Sequence, residues 1–261
     1  MKRTHTGVVP DDSIPAVQMT EQQRQVLYMA ASVLLDYPDE HLAEKIAAVE
    51  SQLDMLSLPV QAELTAFLDA VRVLGPRGIE EHYVETFDQR RRCSLFLSYY
   101  AVGDTRQRGA AIVAFRQQLE ALGFEQVRDE LPDHLCVVLE AAALSSGAAH
   151  VTATEILSAH RDGLEVLRAA LEGLHSPFAH LIRAVCMSLP PIDQETADRY
   201  LDLITSGPPT ELVVLRYHSQ QPTPTNPRRT RYVSHRNVSL GGFSLAEHRR
   251  ICDWCFLALA H

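Results

Sequence analysis

The segment His82-Tyr83-Val84-Glu85-Thr86-Phe87-Asp88-Gln89-Arg90-Arg91-Arg92-Cys93-Ser94-Leu95-Phe96-Leu97-Ser98-Tyr99-Tyr100-Ala101-Val102-Gly103-Asp104-Thr105-Arg106-Gln107-Arg108-Gly109 decides how this chain folds. Ile79, Tyr83, Val84 and Phe87 recur at three- and four-residue steps, the spacing of one helical face. Leu95 to Tyr100 is short and aromatic, and periodicity alone permits a strand there; helical patterns flank it, so it reads as helix. Gly103-Asp104-Thr105 is a turn and N-cap, and Ile112, Phe115 and Leu119 then carry a helix to Gly123. Gly109 falls inside that helix, where it costs roughly 1 kcal/mol relative to alanine. That cost predicts a close approach by another backbone.

Upstream, Thr20-Glu21 opens a helix carrying Leu27, Ala30, Ala31 and Leu34, and Pro38 ends it. Asp39 opens the next, with Leu42, Ile46, Val49 and Leu53 on one face. A third follows Pro59 through Leu64, Phe67, Leu68, Val71 and Leu74 and stops at Gly75; a fourth begins near Arg77. Downstream, Pro132 suits a first helical position with Asp133 in the first turn, ahead of a buried face of Leu135, Val138, Leu139 and Ala142. One helix then holds Ile156, Leu164, Leu167 and Leu171. Another starts at Ser176-Pro177 and ends at Pro190-Pro191, and Asp193 to Ile204 forms the last. No sustained period-two alternation and no internal repeat occurs. The expected fold is all-α: a single-domain bundle of about nine or ten helices over residues 20–206. Residues 1–19 read as disordered, and 207–261 as a Pro-rich, basic, flexible tail with a short terminal helix.

Charge divides the chain in the same place. After Val213 there are seven arginines against Glu247 and Asp253, so the last 48 residues carry +5 and the first 213 carry −14. The body therefore repels nucleic acid and anionic lipid and attracts a basic segment. Lys2, Arg3 and His5 are followed by no apolar run, so no secretory signal is expected, and no apolar stretch is long enough to span a bilayer. Five scattered cysteines point to free thiols in a reducing cytoplasm, with Cys93, Cys136 and Cys186 as core residues.

Catalytic motifs are missing. There is no His-Glu-x-x-His, phosphate loop or Gly-x-Ser-x-Gly, and Gly103–Gly109 follows no strand that would make it a dinucleotide fingerprint. Cys252-Asp253-Trp254-Cys255 is one Cys-x-x-Cys without a second pair, so neither metal nor cofactor is expected. Arg90, Arg91, Arg92, Arg106 and Arg108 have two readings: a solvated face paired with Glu85, Asp88 and Asp104, or a cradle for a phosphate-bearing ligand. The aromatic stripe Tyr83, Phe87, Phe96, Tyr99, Tyr100 is either core or the apolar floor of a groove. His134, at a helix start, is a partly buried hydrogen-bonding residue or a recognition residue.

Taken in order, Leu34-Leu35-Asp36-Tyr37-Pro38, His82–Asp88, Cys93–Tyr100, Gly103–Gly109 and Glu130–Glu140 resemble the NarJ family of nitrate reductase assembly chaperones. That family lies within the wider TorD/DmsD group serving molybdoenzymes. The resemblance covers roughly residues 20 to 213 and stops near Val214, where the charge reverses. It implies a non-enzymatic helical protein. Such a protein binds the N-terminal segment of the apo nitrate reductase catalytic (alpha) subunit as an amphipathic helix. It holds that segment for molybdenum cofactor insertion, then releases it. No nucleic acid partner or stable membrane insertion is implied, and a monomer or weak dimer is expected. Leu131-Pro132-Asp133-His134 matches the hinge motif associated with leader binding in relatives. On this basis Tyr83, Phe87, Leu97 and Tyr100 are candidates for apolar contact. Asp88, Asp104, Asp133 and Glu140 are candidates for charge and orientation, and His134 for positioning the hinge. The alternative is an accessory protein that grips a molybdopterin dinucleotide or nucleotide through Arg90–Arg92.

Overall fold

The computed structural model describes residues 14–126, 130–190 and 249–251. Among them nine α-helices run in chain order: α1 (Glu21–Leu35), α2 (Leu42–Glu50), α3 (Leu58–Tyr83), α4 (Leu97–Val102), α5 (Gln107–Ala121), α6 (Leu135–Leu144), α7 (Ala148–Ala159), α8 (Arg161–Gly173) and α9 (Phe178–Ser188). The all-α expectation holds. The expected helix over Asp193–Ile204, the terminal helix and the Cys252–Cys255 pair lie outside the described residues.

Two helices form the axis. From Leu27 to Leu35 every residue of α1 is buried, and so is every residue of α6 from Leu135 to Ala143. A helix apolar on all sides must be surrounded by others. Here α1 packs along α6 and α9, α9 along α3 and α8, and α7 against α6. The entry to α1 is fixed as its sequence suggests: Thr20 Oγ1 accepts from Gln23 N at 3.2 Å while Gln23 Oε1 accepts from Thr20 N at 3.0 Å. Gly75, at φ 69 and ψ 171, breaks α3 where the third helix was expected to stop.

Several boundaries differ from expectation, each for an identifiable reason. The domain begins before Thr20. Ile14 is buried, Val17 N donates to Met187 O at 2.8 Å, and Val17 and Met19 pack on the core. The helix expected through Ile156 and Leu171 breaks at His160 (φ −109, ψ 21), whose Nδ1 lies 2.9 Å from Ile156 O. The helix after the Gly103 turn starts only at Gln107, with Thr105 Oγ1 accepting from Gln107 N at 3.2 Å. Two strands, β1 (Phe124–Gln126) and β2 (Arg249–Ile251), pair in parallel. Three residues apiece are too few to leave a period-two signature.

Gly109 does not mark a close approach: a Cβ placed there would meet nothing within 4 Å. Gly163, in the first turn of α8, does. A Cβ there would stand 2.8 Å from both Cβ and Cδ2 of Tyr100. Glycine is what lets α8 lie directly against α4.

Candidate functional site

The two segments that stand out in the sequence are brought together. Phe96 and His134 form an isolated antiparallel bridge. Leu97 N donates to Asp133 O at 2.9 Å, and Leu135 N donates to Leu95 O at 2.8 Å. Ser98 Oγ donates to Asp133 Oδ2 at 2.5 Å. The turn itself closes through His134 N to Leu131 O at 3.0 Å. These bonds clasp the Leu-Pro-Asp-His turn to the chain entering α4.

They also correct the helix start. Pro132 and Asp133 stand in the turn, and His134, with extended φ −68 and ψ 133, is the N-cap of α6. The Asp133 carbonyl is taken by the neighbouring segment, so Asp133 is no first-turn dipole partner. Its carboxylate is fully buried, with Oδ1 lacking a hydrogen-bond partner.

Around the clasp the side chains fall into two sets. Leu97, Tyr100, Asp133, His134 and Glu140 are buried, as is Tyr83. Tyr100 is fixed by its hydroxyl, 2.8 Å from Ser94 O and 3.2 Å from Arg92 O. Burial in this apolar setting pushes the Tyr100 and Tyr83 hydroxyls up from their ordinary range. Phe87 is half-buried, its ring 4.7 Å from Tyr83 and 5.0 Å from Phe178. Phe96 and Tyr99 are half-buried too, while Leu131, Asp88 and Asp104 are exposed.

Phe96 links the turn to the arginine cluster. The His134 ring meets it edge-on at 5.1 Å, and the Arg108 guanidinium lies 5.2 Å from its centroid. Arg108 Nη1 also reaches Asp104 Oδ1 at 2.9 Å, and exposed Arg91 approaches the same carboxylate at 3.8 Å. Arg90, Arg92 and Arg106 are exposed. Arg91 and Arg108 thus converge on Asp104. Among the described residues no group of three or more His, Cys, Asp or Glu side chains is placed to hold a metal ion, and no helix is long and apolar enough to cross a membrane.

Sequence reasoning missed Ser98, Gly163 and the contact of Phe96 with His134. It also missed the ionic network beneath. Glu165 Oε1 and Oε2 accept from Arg161 Nε at 2.8 Å and Arg168 Nε at 2.6 Å, all three residues being buried. Arg168 continues to Glu172, which meets Arg183, which meets Glu63 on α3. Arg161 also donates to Cys186 O at 2.5 Å and Ile14 O at 3.4 Å. In the sequence Arg161, Glu165, Arg168 and Glu172 look like ordinary i,i+3 and i,i+4 surface pairs. Cys93, Cys136 and Cys186 are buried thiols, none of them in a disulfide, and burial pushes Cys186 up to about 12.

His82 lies beside this site. Its Nε2 is 2.8 Å from Ser176 Oγ, and its ring stacks on Phe178 at 6.0 Å. Burial lowers its affinity for a proton below the ordinary 6.5, against the opposing pull of Glu85. The unfolded chain then binds that proton more readily, so His82 leaves stability intact above the ordinary value and removes it as pH falls below. Urea unfolding at pH 7.5 and 5.5 should show a smaller acid loss for His82→Gln than for the parent. An identical loss in both would mean that His82 does not contribute.

The fold and the site together define an all-α bundle organised around a clasped Leu-Pro-Asp-His turn. The chain belongs to the nitrate reductase delta subunit family, whose model matches residues 53–184, half of the chain. It is 35% identical over 161 residues to the nitrate reductase-like protein NarX of Mycobacterium tuberculosis, covering 62% of this chain and 24% of NarX. A Bacillus subtilis protein named as a probable nitrate reductase molybdenum cofactor assembly chaperone, NarJ, is 27% identical over 66% of this chain and 92% of its own length. The nitrate reductase molybdenum cofactor assembly chaperone NarJ of Escherichia coli is 34% identical over 42% of this chain and 48% of its own. The chain thus spans about a quarter of NarX, about half of the Escherichia coli protein and nearly all of the Bacillus one.

Proposed function

We propose that this protein is a system-specific chaperone, not an enzyme, for nitrate reductase. It binds the N-terminal segment of the apo alpha subunit in the cytoplasm and assists molybdenum cofactor insertion without remaining in the finished enzyme. The observation that carries this reading is a coincidence of place. The family match over residues 53–184 contains both halves of the clasp, and two relatives of the chain are named as assembly chaperones.

Exposure supports a choice among the side chains that would touch the client. Phe87, Phe96, Tyr99 and Leu131 offer accessible apolar surface, with Asp88 and Glu130 as the carboxylates at its edge, while Asp104 is held by Arg91 and Arg108. Leu97, Tyr100, Asp133, His134 and Glu140 lie inside, and of these Leu97 and Asp133 hold the turn in place through the clasp. An amphipathic basic helix fits an apolar strip edged with carboxylates on a body of −14.

Leu131 gives the cleanest test, being partly exposed and outside the core. Leu131→Asp is expected to weaken binding of a synthetic alpha-subunit N-terminal peptide at least about tenfold, roughly the cost of losing one apolar anchor. Thermal unfolding should not move. Binding should also weaken as salt is raised from about 50 to 500 mM, because part of it is attraction between unlike charges. Calorimetric affinities unaltered by both changes would remove this face as the client site. The cofactor-binding alternative has weaker support, because Asp104 already engages two of the five arginines.

A further inference from the structure

The face beside the clasped turn changes sign across Phe96. On one side the His134 ring meets Phe96 at 5.1 Å, and His134 Nε2 lies 3.9 Å from Glu130 Oε1. On the other, the Arg108 guanidinium stands 5.2 Å from the Phe96 centroid, and Asp104 joins it to Arg91. Two tyrosines sense the same division. The carboxylates acting on the Tyr83 hydroxyl are those of Asp36, Asp88 and Glu130, and Lys45 offsets the first of them from 3.7 Å. Tyr99 instead senses Asp104 against Arg91, Arg108 and Arg92. One flank of the apolar surface is therefore acidic, and the other sets three arginines against one carboxylate.

A helix laid across such a face is not indifferent to its direction. Its N-terminus carries about half a positive charge and its C-terminus the opposite, each favouring an unlike charge beside the first or last turn. A segment that begins a protein adds its own α-amino group, largely positive at neutral pH. Laid the wrong way round, it would set that group against Arg91, Arg92 and Arg108, a like-charge contact that discriminates between arrangements. Phe87, Phe96, Tyr99 and Leu131 offer apolar contact in either direction, because hydrophobic attraction has none of its own.

We propose that this change of sign fixes the direction in which the client segment is held. Its leading end lies at Glu130 and Asp88, its last turn lies over Arg91, Arg92 and Arg108, and the rest of the client leaves past the start of α5 at Gln107. The three arginines determine specificity: they reject the reversed segment more than they anchor the correct one. The inference rests on the chaperone reading for its occupant, but direction is measured separately from binding.

The test uses the full chain and the synthetic alpha-subunit N-terminal peptide, carrying a nitroxide at its first or its last residue. A nitroxide broadens the amide signals nearest to it. The first-residue label should act most strongly on Glu130 and Leu131, and the last-residue label on Arg108 and Gly109. A reversed pattern, or equal broadening at both places, would overturn the direction. Calorimetry supplies a second readout. Glutamate at the peptide's last two positions should tighten binding to the parent about two- to fivefold, the size of a charge interaction at a helix end. The same change should bring no gain with Arg91→Glu/Arg92→Glu. Both arginines are exposed, so thermal unfolding of that variant should not move. An equal change in affinity for the two proteins would overturn the role of the arginines. Labels that broaden neither place would overturn this face as the client site, and absence of peptide binding would overturn the chaperone reading and the direction with it.

Discussion

Replacing Glu165 with leucine is expected to cost on the order of 3–5 kcal/mol of stability, the usual penalty for removing one partner of a buried ion pair. Glu165 stands between Arg161 and Arg168, and all three are almost wholly out of solvent. Without the carboxylate, two guanidiniums remain in the interior. Arg168 keeps Glu172, but Arg161 keeps, among the described residues, the carbonyls of Cys186 and Ile14. Solvent cannot compensate without opening the contact between α8 and α9. Urea denaturation of parent and variant measures the difference directly. A loss below about 1 kcal/mol would be that of a surface pair and would mean that the network relaxes into water.

The second large effect is expected at Gly163. A Cβ at this position would stand 2.8–2.9 Å from three atoms of Tyr100, and Tyr100 cannot yield while its hydroxyl holds the carbonyls of Ser94 and Arg92. Gly163→Val should therefore cost about 3 kcal/mol, the upper part of the range for overpacking. Because Tyr100 belongs to the segment clasped to Asp133, peptide affinity should fall with stability. Gly109→Ala is the matched control, since an added Cβ there meets nothing. It should stabilise by up to about 1 kcal/mol through helix propensity alone. Two glycine substitutions of opposite sign in a thermal melt would confirm which helix makes the close approach.

The contrast between those glycines shows where legibility ends. Helical spacing identifies α1, α3, α5, α6 and α9, because each buries one stripe or all of its surface and the apolar residues record it. Breaks at Pro38 and Gly75 are local chemistry and were equally readable. Partners distant in sequence left no such record. Gly163 is small because of Tyr100, and Pro132 stands in a turn because Asp133 is bonded to Leu97 and Ser98. Glu165 resembles a surface residue by spacing and is interior by packing. Of the candidate site, Phe87, Asp88, Asp104 and His134 stand out in the sequence for their chemistry, whereas Phe96 reads as one aromatic among several. Its bridge to His134 and the Arg108 guanidinium beside its ring are tertiary contacts that no local pattern records.

The stitching of Val17 to Met187 and of Ile14 to Arg161 has a consequence for biosynthesis. Each bond joins residues about 150 or more positions apart, so the leading segment has no seat until nearly the whole bundle has left the ribosome. Closure of this kind is slow, because the entropy of a long loop must be overcome before any contact rewards it. While translation continues, the apolar faces of α1 and α6 are exposed with their neighbours not yet made, so a helper of other proteins' maturation would itself depend on shelter while nascent.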